Sequence, residues 1–234
     1  MILSIIIPCF NEENTILEIL KKVNLQKSNF KVEVIISDDG STDKTPQIIK
    51  SNNNLYDKLI ENKINRGKGA AIRSAINFAS GDIILIQDAD LEYDPKDYKK
   101  LIQPIIERKT KVVYGTRVAK NERYNSKDFI SLSRIFFNHV LTIFSNIFNN
   151  QNLTDAHTCY KVFETKLFKD IKLNENDFAF CPEVTTKLSK LNEKILEVPI
   201  SYKGRTKQEG KKIGLYDGIR AFYVILKYQF KIFH

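Results

Sequence analysis

Two aspartates two residues apart, Asp88 and Asp90, close the stretch DIILIQDAD at residues 82–90. Carboxylates at i and i+2 can turn toward one point once the chain leaves extended geometry at a strand end. Hard oxygen donors of this kind suit Mg²⁺ or Mn²⁺, ions that also hold phosphate oxygens. The chemistry implied is work on a phosphate-bearing ligand. The four residues from Ile83 to Ile86 are all apolar and read as a strand buried on both faces. Open α/β sheets bind ligands at the carboxyl ends of such strands, which is where this aspartate pair falls.

Two more polar strand ends precede it. Pro8-Cys9-Phe10-Asn11-Glu12 follows a β-rich run at 3–8, and Asp38-Asp39-Gly40-Ser41 follows a second buried run at 32–37. If the three strands are parallel neighbours, their polar ends meet at one rim. The first two ends would hold a base and a ribose, and the third a metal on a diphosphate. Arg66 and Lys68, in NKINRGKG at 62–69, would add cationic and backbone N–H contacts.

The elements that position these residues alternate through the first half. A helix is expected from about Asn11 to Gln26, and another after Ser41 or Thr42 as its cap. A third strand is expected at 56–60, a helix at 70–79, a helix from Pro95 to about Arg108, and a strand at 112–115. That alternation predicts an α/β fold, a mostly parallel sheet flanked by helices. Beyond Arg117 the pattern changes. Residues 119–127 are loop-like, and 129–148 form a long apolar helix whose only formal charge is Arg134. It fits either a core helix or a helix lying on a bilayer interface. A compact polar segment at 154–162 is followed by a helix at 178–191, a strand at 195–202, a basic loop at 204–214 and a helix at 216–233.

The 234 residues, 42% hydrophobic, suit one large α/β domain. No apolar run is long enough to span a membrane, and the N-terminus reads as a first strand rather than a signal peptide. Cys9, Cys159 and Cys181 form no C-x-x-C, and His139, His157 and His234 have no ligand spacing, which argues against a disulfide framework or a zinc site. The net charge is +9, and residues 201–234 hold eight Lys/Arg against Glu209 and Asp217. A basic end implies an anionic partner: a diphosphate, a phospholipid or, with no recognisable motif to support it, a nucleic acid, which ranks last.

The motifs PCFNEE, DDGSTD, NRGKGAA, GDIILIQDADLEYDP and VVYGTR together resemble glycosyltransferase family 2, whose fold is the GT-A type. The later TDAHTCYKVF, CPEVTTKL and EVPISYKGRTKQEGKKIGLYDG resemble its dolichol-phosphate mannosyltransferase-like branch, which makes polyprenyl-phosphate sugars. The resemblance covers about residues 2–225. It implies nucleotide-sugar contacts at Pro8, Phe10, Glu12, Ser37, Asp39, Lys68 and Ala89. It places the metal on Asp88 and Asp90, with Glu92 where many relatives carry Gln. Arg117 matches an arginine on the donor or the acceptor phosphate, and Arg205 one in a loop that closes over the diphosphate. The lysine of that loop corresponds to Lys211 or Lys212. Arg134, Asp155 and Lys161 fall on the acceptor side, while His157 reads as structural.

The reaction so implied is an inverting transfer from a GDP- or UDP-sugar to a polyprenyl monophosphate, with Asp88, Asp90, Arg117 and Arg205 acting on the reacting groups. The competing enzyme reading keeps the fold and takes a sugar hydroxyl as acceptor, with a carboxylate such as Asp155 as base. A nucleotide-sugar-binding module without turnover is the third. Residues 1–215 are expected to form the catalytic domain and 216–234 a basic amphipathic helix. The protein is expected at the cytoplasmic face of a membrane, peripherally or through a membrane-protein partner.

Overall fold

A computed structural model describes residues 1–29, 31–118, 129–205 and 215–230, with the side chains of 129–135 and 215 excepted. Lys211, Lys212 and the side chain of Arg134 therefore lie outside the described residues, as does the loop expected at 119–127.

Seven strands form one sheet in the order β3-β2-β1-β4-β6-β5-β7. Strands β1 (Ile2–Cys9), β2 (Lys31–Asp38), β3 (Lys58–Glu61) and β4 (Ile83–Ile86) run parallel. Strand β6 (Lys161–Glu164) is antiparallel to both β4 and β5 (Val112–Thr116), and β7 (Ile195–Pro199) returns parallel to β5. The sheet is thus mostly parallel with one reversed strand, as the fold class required.

The uninterrupted apolar runs follow from cover on both faces. Ile5 and Ile7 of β1 join one core with Ile16, Ile19 and Leu20 of α1 (Ile16–Leu25) and Leu101 and Ile102 of α4 (Tyr98–Ile106). Ile6, one residue out of phase, joins the other core. That core holds Ile72 and Ala75 of α3 (Lys68–Ile76), Phe168 of α6 (Thr165–Asp170), and Phe180 and Val184 of α7 (Phe180–Lys190). Period-2 alternation in a strand sends successive side chains to opposite faces, so a sheet with helices on both sides needs apolar residues at every position.

Helices α5 (Phe129–Asn149) and α8 (Leu215–Phe230) pack together, with Phe144 against Phe222 at 4.7 Å and Phe148 against Phe230 at 5.8 Å. Their outer side leaves Phe136, Phe137, Ile147, Tyr216 and Ile219 exposed. Over residues 136–148 the helix therefore buries some side chains, such as Leu141, and leaves others, such as Phe136, Phe137 and Ile147, exposed.

Several boundaries differ from expectation for local reasons. Helix α1 begins at Ile16 because Asn11 takes a positive φ of 51°. Its side chain accepts from the Thr42 N–H, and its own N–H donates to the Ser41 hydroxyl. Ser41 and Thr42 thus stitch two loops together instead of capping α2 (Thr45–Ser51), whose first N–H is met by Asp43. Strand β7 stops at Pro199, and Tyr202 pairs separately with Tyr93.

Candidate active site

The register of the parallel strands sets the site. Pro8 lies opposite Ser37, Cys9 opposite Asp38, and Ile6 opposite Ile86, so the ends of β2, β1 and β4 are neighbours at one rim. Beyond them the chain opens a cleft whose lining includes Pro8, Phe10, Glu12, Asp39, Lys68, Asp88, Ala89, Asp90, Glu92, Arg117 and Arg205. Eleven positions named from sequence therefore share one cavity.

The two aspartates of the D-A-D segment differ in their surroundings. Asp88 is enclosed, which alone would raise its pKa, but the Lys68 ammonium pairs with it and holds the carboxyl below its ordinary value. Asp90 has no such private cation. Burial, followed by the charges of Asp88 and Glu92, pushes its carboxyl up to about 7, against the pull of Arg205. Arg205 is the shared counter-charge. Its Nη2 donates to Asp90 at 2.8 Å, its Nη1 to Glu12 at 3.0 Å, and its backbone N–H to Glu92 at 2.6 Å. The other Glu92 oxygen accepts from the Tyr202 hydroxyl at 3.1 Å.

Asp39 is also committed. Its carboxylate accepts from the backbone N–H of Gly67 at 2.6 Å and of Arg66 at 3.0 Å, and from Asn62. Of the groups expected to add cationic and backbone N–H contacts, the Arg66 and Gly67 amides hold Asp39 and the Lys68 ammonium holds Asp88. Burial raises the Asp39 carboxyl in spite of the amides.

Arg117, also in the cleft lining, follows β5. Its Nε donates to Asp155 at 2.6 Å and its Nη2 at 2.8 Å, a two-point pair with a carboxylate that is fully buried. The guanidinium lies 5.0 Å from the centre of the Tyr202 ring. Glu197 of β7 fixes the turn behind Asp155 by accepting from the N–H groups of Thr154 and Asp155.

Three residues placed on the site from sequence, Ser37, Lys161 and Asp155, do not line the cleft. Ser37 is fully buried inside β2, paired with Pro8 on one side and Ile60 on the other, so the strand ends only after it. Lys161 is fully buried, donates to the carbonyls of Thr158 at 2.7 Å and Ala156 at 3.1 Å, and sits 3.8 Å from the centre of the Tyr114 ring. Burial lowers its pKa. It braces the 156–158 loop from beneath instead of facing an acceptor. Asp155 meets the cleft by way of Arg117, which it holds.

The cleft also takes in Asn65, Tyr93, His157, Cys159, Phe178 and Tyr202, none of which was assigned a site role from sequence. His157 and Cys159 sit in TDAHTC, two residues apart on a loop that leads into β6. That alternation was the available signal. Among the described residues no group of three or more His, Cys, Asp or Glu side chains is ready-made to hold a metal ion.

A parallel Rossmann-like half with carboxylates at its rim, closed by a mixed half that brings in an arginine, is the architecture of a GT-A glycosyltransferase. The chain belongs to the family Glycosyl transferase family 2, whose pattern matches residues 4–172. It is 29% identical to the UDP-N-acetylglucosamine–dolichyl-phosphate N-acetylglucosaminyltransferase of Methanococcus voltae, over 95% of this chain and 94% of that protein. It is 28% identical to a dolichyl-phosphate beta-glucosyltransferase of Trichomonas vaginalis, over 86% of this chain but only 65% of that longer protein. Among solved structures, glucosyl-3-phosphoglycerate synthase from Mycobacterium tuberculosis, in complex with Mn²⁺, UDP-glucose and phosphoglyceric acid, superimposes with a TM-score of 0.72. It covers 97% of this chain and 79% of that one at 15% identity, so the likeness is one of fold.

Proposed function

We propose that this glycosyltransferase moves a sugar from a nucleotide-diphosphate sugar to the phosphate of a polyprenyl monophosphate, with inversion at the anomeric carbon. The observation that carries the acceptor is the Arg117–Asp155 pair. A hydroxyl acceptor calls for a base, and Asp155, the carboxylate considered for that task, is buried and held at two points by Arg117. A phosphate acceptor has a second pKa of about 6 and is already largely anionic at neutral pH. What it needs is a fixed cation, and Arg117 at the cleft wall supplies one. The relatives named for dolichyl-phosphate acceptors support the same reading.

On the donor side, Pro8, Phe10, Glu12 and Asp39 would line the nucleoside, and the diphosphate would lie between Asp90 and Arg205. The residues present fit a divalent cation, Mg²⁺ or Mn²⁺. The donor set at Asp90 and Glu92 is all oxygen, and Arg205 stands among these carboxylates as the positive charge they require. When bound, such an ion supplies charge neutralisation for the leaving diphosphate. Arg205, freed from Asp90, would then turn its guanidinium to the same phosphates. The attacking oxygen would come from the Arg117 side and the leaving group would depart on the Arg205 side, as a single in-line displacement requires. Residues 1–215 would carry this chemistry, and 216–234 would belong to the surface that meets lipid.

Among the described residues no helix is long and apolar enough to cross a membrane. The exposed aromatic and aliphatic side chains of α5 and α8 support peripheral contact, since apolar side chains on a surface helix pair enter the headgroup boundary. The basic end supports it less than its composition suggests, because Arg220 and Lys227 are paired with Glu175. The test is transfer of radiolabel from a panel of UDP- and GDP-sugars to a polyprenyl phosphate in detergent, with MnCl₂ or MgCl₂, followed by organic extraction. Label in the lipid phase, abolished by chelator, is expected. Absence of lipid label with every donor, despite nucleotide-sugar binding, would overturn the acceptor reading.

A further inference from the structure

Glu175 stands outside the cleft, in the segment between α6 and α7, and is 6% exposed. Its carboxylate accepts from three side chains of one helix: Arg220 Nη2 at 2.8 Å, Lys227 Nζ at 2.8 Å and the Tyr228 hydroxyl at 2.9 Å. Arg220 and Lys227 are seven residues apart and so share a face of α8. Arg220 also pairs through Nε with Asp177 at 2.5 Å.

The backbone of the same segment touches the donor side. The Asn176 carbonyl accepts from the Ala70 N–H at 3.0 Å, and the Glu175 carbonyl accepts from Arg73 at 2.6 Å. Gly67 has a φ of +100°, and a Cβ there would sit 2.5 Å from the Asn176 carbonyl oxygen. A Cβ on Gly69 would collide with the Glu175 carbonyl oxygen. The two glycines thus permit a backbone-on-backbone contact that leaves no slack. From the α7 side, Glu183 accepts from the N–H groups of Asn174 and Glu175. Residues 174–177 are therefore held by α8 and α7 and pressed against the turn whose other side holds Asp39 through Gly67 and Asp88 through Lys68.

We propose that Glu175 is a positioning residue for the donor half of the cleft: through it, α8 sets how the turn into α3 at Gly67, Lys68 and Gly69 bears on Asp39 and Asp88, and thereby sets affinity for a nucleoside diphosphate. This deepens the donor reading above and rests on it. It gives Arg220 and Lys227 a role that charge composition does not disclose. They anchor the last described helix to the donor turn, and the same helix carries part of the exposed apolar surface.

The test uses the full chain and three variants: Glu175→Gln, the double variant Arg220→Gln/Lys227→Met, and Lys227→Arg. Binding of UDP and of GDP with MnCl₂ is measured by calorimetry, and amide hydrogen exchange is followed at residues 66–70. The first two variants are expected to weaken binding of whichever nucleotide the unaltered chain takes by about tenfold, since small misplacements of a positioned group carry effects of this size. They should also speed exchange at 66–70 and raise the donor KM with kcat held within about twofold. Lys227→Arg, which keeps the charge, should bind as the unaltered chain does. A purely structural role would lower the folded fraction without changing the Kd of what remains folded. If Glu175→Gln does not fold, the double variant on the helix surface decides. Unchanged Kd and unchanged exchange at 66–70 in folded double variant would overturn the proposal. If the unaltered chain binds neither nucleotide, the donor reading fails by itself, and exchange at 66–70 still decides whether α8 bears on the turn.

Discussion

The parallel half of the sheet and its mixed half handle charge in opposite ways. At the ends of β1, β2 and β4 the chain gathers carboxylates: Glu12, Asp39, Asp88, Asp90 and Glu92. Lys68, Arg205 and backbone amides match only part of that charge, and the Asp90 carboxyl stands raised, by burial first and then by Asp88 and Glu92. At β5 and β6 the cleft wall is a cation, Arg117, fully matched by one buried carboxylate behind it. The first region is built with an excess of negative charge that a positive ligand would relieve. The second is built to hold a positive charge still. An incoming cation-bound diphosphate and an incoming phosphate would need these two opposite provisions, side by side.

Breaking the acidic half should have the largest effect. Asp90→Ala is expected to lower transfer by about 10³-fold or more, as loss of charge stabilisation at a leaving group does. Its thermal midpoint should not fall, because Asp90 is under electrostatic strain that Arg205 and the Glu92 N–H offset only in part. A large loss of stability in that variant would remove the contrast between the halves.

The cationic half should respond differently. Arg117→Gln is expected to cost about 10²-fold in kcat/KM for the acceptor. Arg117→Lys should not restore it, since a lysine cannot make the two-point contact with Asp155. Asp155→Asn leaves the guanidinium without its buried partner and should destabilise the fold by about 3 kcal/mol, read from denaturant unfolding.

The pH dependence sharpens the comparison further. The Asp90 carboxyl is raised from its ordinary 3.8 to about 7 in the folded chain. The folded state thus holds this proton more tightly than the unfolded one. Its contribution to stability is fully present below about pH 4 and is lost as pH rises through about 7. Metal-free protein should therefore lose stability from this group between those limits, and Asp90→Asn should not. Mn²⁺ binding should weaken below about pH 7, where the ion must displace a proton. A titration of Mn²⁺ affinity that is flat from pH 5.5 to 8 would contradict this.

Lys161→Met should have the smallest functional effect. It removes two hydrogen bonds to loop carbonyls and should cost about 1–3 kcal/mol of stability, with the acceptor KM of folded protein within about twofold. A large rise in acceptor KM would return Lys161 to the acceptor side.

The acidic half was the more legible of the two from the sequence. Buried parallel strands are continuous apolar runs, so β1, β2 and β4 announce themselves, and the residues after each run must share a rim once the strands are neighbours. The mixed half hides its logic. Strand β6 has four residues and opens on Lys161, so it lacks the apolar signature of its neighbours and reads as the end of a polar segment. Whether that lysine faces a cleft or a core depends on where β6 inserts between β4 and β5, which no local pattern encodes. Ser37 fails for a smaller reason: β2 runs through Asp38, one residue past its expected end, and keeps the serine inside. The partners of Arg117 and Arg205 lie 38 and more than 100 residues away in the chain, and only the assembled sheet brings them together. The resemblance placed both arginines at the site without saying what holds them.

The most direct measurement compares acceptors that differ only in the phosphate. Purified protein with the donor it accepts and MnCl₂ is given a polyprenyl monophosphate, the same polyprenol without phosphate, and a soluble sugar hydroxyl acceptor, and the label in each product is counted. The two-provision cleft predicts transfer to the polyprenyl phosphate alone, lost in Arg117→Gln. Label on the polyprenol or on the sugar hydroxyl at a comparable rate, insensitive to Arg117, would contradict it.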